Sequence, residues 1–150
     1  MLALLASLPS RATEMDAATK RDFEVSTSMT FDHAVNEIHA AIKVLASGDC
    51  RQVAALTRFP FELNGIGRPS PYIWNRTAFC RYFPTIFTDE RRALIANQRL
   101  EEMPGAPYGI MINHGTLWLR PVCPGGNDWA YCKEPERKLF LVQANIGPGQ

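Results

Sequence analysis

The chain reads as an α+β domain, with N-terminal helices packed on a curved antiparallel sheet, and three observations predict this. The last third holds two runs of β-branched, aromatic and long aliphatic residues, GIMINHGTLWLRPV from Gly109 to Val122 and KLFLVQANIG from Lys138 to Gly147. Within the first run the pair His114-Gly115 supplies a tight reversal, so the two runs make three antiparallel strands. The first half instead carries apolar residues at helical spacing, and helices followed by strands pack as segregated layers.

The elements follow in order. Residues 1–28 show no sustained periodicity and read as a signal remnant or flexible arm, leaving 29–150 as one domain. The arm opens with apolar Met1 to Pro9 and turns polar at Ser10, like the back half of a secretory signal. Thr30 is an N-cap candidate before Phe31, Ala34, Val35, Ile38, Ala41, Ile42 and Leu45, whose steps of three and four form one helix face. Ser47-Gly48 stops that helix, and Asp49 starts a shorter one carrying Cys50, Val53, Ala54 and Leu56.

Phe59, Phe61 and Leu63 alternate with Pro60, Glu62 and Asn64, the period of a half-buried strand, and Pro60 confines it to an edge or a strand beginning. Gly65 to Pro71 is a loop. Asn75 opens a helix with Phe79, Cys80 and Phe83 that ends at Pro84. Thr88 begins another, with Asp89 and Glu90 suited to the positive end of its dipole. The stretch from Met103 to Pro107 terminates the helical region.

Composition bounds the function. With 46% hydrophobic and 21% charged residues in 150, the chain has the makeup of a globular domain with a real core. A formal net charge of +1, with no basic run beyond Lys20-Arg21 and Arg91-Arg92, gives no phosphate-neutralising stripe for nucleic acid. No run reaches the about 20 apolar residues that a membrane span needs. Four cysteines in a short chain suggest disulfides, and their spacing is not a zinc pattern. Cys123 and Cys132 flank a turn-like stretch, PGGNDWAY, and a bridge across its base predicts a periplasmic or secreted protein. Cys50 and Cys80 fall on or beside helices, where pairing and service as small core residues both remain open.

The helix end Leu45 to Asp49, FPFELNG at Phe59 to Gly65, Phe79 to Gln98, Gly109 to Leu119 and the closing Ala144-Asn145-Ile146 together resemble the NTF2-like (cystatin-like α+β) superfamily, in its small exported bacterial members. The resemblance spans roughly residues 30–147 and implies a cone-shaped domain, a bent sheet wrapped around a long N-terminal helix. Its motifs are patterns of fold, and the Cys123 to Cys132 insertion departs from them. It implies a pocket between sheet and helix, with Tyr72, Trp74, Phe79 and Tyr82 as candidates for the mouth. Face-to-face pairing of such sheets also implies a homodimer.

No nucleophile elbow, phosphate loop or metal-ligand cluster is present, and no cofactor is called for. Gly65-Ile-Gly67 lacks a third glycine, and Asn75-Arg76-Thr77 reads as a helix cap before it reads as a glycosylation acceptor. His33 and His39 stand on opposite sides of one helix, so they do not share a metal. His33 and Glu37 read as a solvated pair on one face, and His114 reads as a turn residue. The binding candidates are Tyr72, Trp74, Tyr82 and Trp118, with Asp128 and Trp129 in the cysteine-bounded loop. Because no catalytic constellation assembles, the expected function is a noncatalytic binding or interaction protein of the bacterial envelope. It would hold a small apolar ligand in the pocket or a protein partner on the hairpin, as an inhibitor or immunity-type protein does. The alternative is an isomerase- or dehydratase-type enzyme acting on a small apolar substrate.

Overall fold

The computed structural model describes residues 15–147 except Pro104 and Tyr108, so the apolar start of the chain lies outside the described residues. Five α-helices precede or interrupt a six-stranded sheet: α1 (Ala17–Thr27), α2 (Phe31–Leu45), α3 (Cys50–Ala55), β1 (Thr57–Asn64), β2 (Tyr72–Ile73), α4 (Arg76–Ile86), α5 (Asp89–Ala96), β3 (Gly105–Ala106), β4 (Gly109–Ile112), β5 (Leu117–Val122) and β6 (Lys138–Asn145). The strand order is β2-β1-β6-β5-β4-β3. Every neighbouring pair is antiparallel except β1 and β6, which run parallel. The fold is therefore α+β with helices on a sheet, as expected, but the sheet is mixed and not wholly antiparallel, because β6 lies parallel to β1.

Local chemistry explains the helix starts. The Thr30 hydroxyl accepts from the His33 amide, Asp49 from Arg51 and Gln52, Asn75 from Ala78, and Thr88 from Arg91, each satisfying N–H groups that a helix leaves unpaired. Helix α2 buries Ala34, Ile38, Ala41 and Leu45 against β6 and the neighbouring helices. Its greasy face is thus covered by the sheet and by α1, α3 and α5.

Three other findings differ from the sequence expectations. Residues 17–27, expected within a signal remnant or flexible arm, form α1, capped by Asp16 and anchored by buried Phe23, whose ring meets Phe31 edge-on at 6.0 Å. Only Phe23, Ser26 and Thr27 of this helix are buried, so too few apolar residues mark its period. Pro84 does not end α4, which continues to Ile86; the lost ladder bond is offset by burial of Ile86 and Phe87 and by the Phe87 amide donating to Phe83 O at 2.8 Å. Pro60 lies in the second strand of the sheet and not at an edge. It is tolerated there because the β1–β6 register shifts between Thr57 and Glu62, where a proline's missing donor interrupts no regular ladder.

The hairpin expected at His114-Gly115 is present. Ile112 pairs with Leu117, the Thr116 amide donates to Asn113 O at 3.1 Å, and His114 and Gly115 both have positive φ, as a type I′ turn requires. Both disulfides form, Cys50–Cys80 tying α3 to α4 and Cys123–Cys132 closing the loop between β5 and β6. No described helix is long and apolar enough to cross a membrane.

Candidate functional site

The space between helices and sheet is filled. Phe79 has Phe61 edge-on at 5.1 Å and Phe59, Phe83 and Phe87 within 6.5 Å, and Ile38, Leu45, Leu63, Ile110 and Leu141 belong to the same buried core. Among the described residues the buried polar ones are Ser26, Thr27, Thr57 and Thr116. The Thr27 and Thr57 hydroxyls donate to Phe23 O and Val53 O at 2.6 and 2.7 Å. No buried Asp, Glu or His is among them, so the described interior holds no pair fit for proton transfer.

On the opposite face of the sheet the described residues form a row of exposed and half-buried side chains. Register pairs Tyr72 with Glu62, Glu62 with Gln143, Gln143 with Trp118 and Trp118 with Met111, and residues directly opposite project on one face. Beside this row lies a polar ladder in which Asn64 Nδ2 donates to Glu62 Oε1 at 2.9 Å and to Asn145 Oδ1 at 3.0 Å, while Gln143 Nε2 donates to Asn145 Oδ1. Val142 is the extra residue where the β5–β6 register shifts, so Val142 and Gln143 both face outward.

Two adjoining clefts open on this face. One, of about 280 Å³, has walls that include Arg58, Glu62, Tyr72, Arg120 and Gln143; the other, of about 120 Å³, is bounded by Arg58, Arg120, Pro121, Asp128 and Trp129. Arg58 and Arg120 belong to both, which makes them the shared wall of a groove running from Tyr72 to Trp129. Among the described residues neither arginine forms an ion pair.

The disulfide-closed loop forms one end of the groove, and Arg137 holds it. Its guanidinium donates to Trp129 O at 3.0 Å, Cys132 O at 3.1 Å and Ser28 O, and lies over the Trp129 ring at 5.3 Å. Glu134 adds a second tie, accepting from the Thr30 amide at 2.8 Å and meeting His33 Nδ1 at 2.7 Å. The hydrogen bond from His33, then that from Thr30, holds the Glu134 carboxyl below its ordinary range. His33 and Glu37 therefore do not pair with each other: Glu37 accepts from the Leu139 amide at 3.1 Å. From this anchored loop Tyr131 projects with 82% of its surface exposed.

Comparison with family models, with curated proteins and with solved structures finds no match for this chain.

Of the binding candidates, Tyr72, Trp118, Asp128 and Trp129 come together on the outer sheet face and its flanking loop, not at the mouth of an interior pocket. Trp74 lies beside Tyr72 with ring centroids 6.1 Å apart and is 68% exposed. Tyr82 stands apart on α4, half-buried beneath the Arg68 guanidinium at 4.5 Å. Phe79 is core. His114 lies on a larger cleft of about 530 Å³ between α5 and the 113–116 turn, with Glu90, Arg91 and Leu94. Several polar groups there are spent on closing the chain, since Arg91 donates to Thr85 O at 2.7 Å and the Asn113 amide to Gln98 Oε1 at 2.6 Å. No cluster of metal-ligating side chains occurs among the described residues. Sequence reasoning missed Arg58, Arg120 and Arg137. The first two were readable, because alternation with buried Thr57, Leu119 and Pro121 turns both outward.

Proposed function

We propose that the protein is a noncatalytic binding protein of the NTF2-like type, exported to the periplasm or cell exterior, and that it engages another protein through its outer sheet face and cysteine-bounded loop. The observation that carries this is that Tyr72 and Trp118 share a row on the outer sheet face while Trp129 stands on the adjoining loop, which is fixed by a disulfide and by Arg137. Exposed aromatics on a preorganised scaffold are the usual anchors of protein interfaces. A core packed with phenylalanine favours surface contact over an enclosed small apolar ligand. Helix α2 lying against the six-stranded sheet supports the superfamily reading. Two disulfides support an oxidising compartment. An inhibitor or immunity-type role fits a rigid protruding loop.

The test is photo-crosslinking in cells that make the protein, with the crosslinker replacing Tyr131 or, as a control, Lys43 on α2. A discrete adduct from position 131, absent from position 43 and weakened in Cys123→Ala/Cys132→Ala, is expected. Equal adducts from both positions, or none, would refute it. Four free thiols in freshly isolated protein would remove the export reading.

A further inference from the structure

Resting on that reading, we infer that the groove shared by Arg58 and Arg120 receives a carboxylate side chain from an acidic segment of the partner protein. Arg58 on β1 and Arg120 on β5, with β6 between them, line both clefts and form their common wall. Arg58 is half-buried, and neither has a carboxylate counter-ion among the described residues. A partly desolvated cation without a partner is costly, and a planar guanidinium matches a carboxylate with two parallel hydrogen bonds.

The acids that line the same clefts are engaged in other hydrogen bonds. Glu62 Oε1 accepts from Asn64 Nδ2 at 2.9 Å, and Asp128 Oδ1 caps the Ala130 amide at 3.5 Å. They stand in different clefts, Glu62 with Tyr72 and Asp128 with Trp129, so the cationic centre of the groove has an acid and an aromatic toward each end. That pattern accepts a carboxylate at the centre and repels one placed elsewhere. Clefts of about 280 and 120 Å³ have room for single side chains of a chain laid along the groove. Tyr72 and Trp129 flank its path.

The experiment is an NMR titration of the ¹⁵N-labelled full chain, disulfides intact, with a blocked oligoglutamate peptide at low salt, with inorganic phosphate and oligolysine as parallel arms. Oligoglutamate should shift the Arg58 and Arg120 amides and the indole N–H signals of Trp118 and Trp129. Arg58→Gln/Arg120→Gln should weaken binding about tenfold or more, while Arg76→Gln on α4 leaves it unchanged. Absence of shifts, equal binding by the double variant, or equal shifts from phosphate would overturn the inference. So would concentration-dependent shifts at these signals without peptide, which would make a second copy the occupant. If the Tyr131 crosslink persists while oligoglutamate fails, the carboxylate inference falls and the binding reading stands; peptide binding without any crosslink gives the reverse.

Discussion

Removing the two disulfides separately should cost unequal amounts of stability. Cys50 and Cys80 are 30 residues apart in sequence, and Cys123 and Cys132 only 9. If each bridge acts by restricting the unfolded chain, loop closure assigns about 3.6 kcal/mol to the first and about 2.6 kcal/mol to the second. Cys50→Ala/Cys80→Ala should then lower Tm by roughly 7–14 °C, and Cys123→Ala/Cys132→Ala by roughly 5–10 °C. Urea denaturation of both variants beside the parent supplies the free energies, and the denaturant slope should rise in each because an uncrosslinked chain exposes more surface. The geometry sharpens the contrast. The long loop includes β1 and β2 and joins two helices, whereas the short one is also held by Arg137 and Glu134, which survive the loss of its sulfur link. A larger cost for the short bridge, or an unchanged slope in both variants, would refute the unfolded-state account.

Other outcomes follow from single contacts. Glu134 has a lowered pKa, so its contribution is present above the ordinary value of 4.5 and is lost as pH falls through the lower folded value; the stability difference between parent and Glu134→Gln should shrink across that acid window in pH-resolved denaturation. Gly65→Ala should cost roughly 3 kcal/mol or more, because φ is +95° and an added Cβ would lie 1.7 Å from Ile146 O; urea midpoints measure it. Arg137→Gln should leave the core intact yet raise amide exchange in the 123–132 loop about tenfold, as hydrogen–deuterium exchange would show, since the guanidinium bonds to that loop are lost.

The legible parts of the fold were those with local signals. Thr30 and the three-four spacing to Leu45 mark α2 at both ends, and His114-Gly115 marks the β4–β5 turn. Helix α1 was hidden because Phe23 is its one large buried residue, while Val25 faces solvent. Strand β2 is two residues long, too short for any alternation. For the site, the aromatic positions could be named from sequence, but their common face could not. That Tyr72 and Trp118 share a row depends on the parallel β1–β6 pairing, which joins residues about eighty apart and leaves no local mark in either strand. Arg137 was unreadable for the same reason: one of its partners, Ser28, lies 109 residues away.

The same distant contacts bear on how the proposed surface would bind. Ordering a loop on association costs free energy for each side chain immobilised, and a loop ordered beforehand avoids most of that cost. Here the 123–132 loop is closed by a disulfide, bridged to its own strand through Val122 and Asp128, and tied to the α1–α2 corner by Arg137, while Glu134 secures the following turn to the same corner. Tyr131 is thus an exposed aromatic on a fixed support. The sheet beside it is equally constrained, because its inward residues Phe61, Leu119 and Leu141 are fully buried and hold the register that sets the outward row. The burial of one face therefore fixes the placement of Tyr72, Trp118, Arg58 and Arg120 on the other. A partner that meets this surface would find the groove largely preformed, so little of the interaction free energy is lost to ordering it.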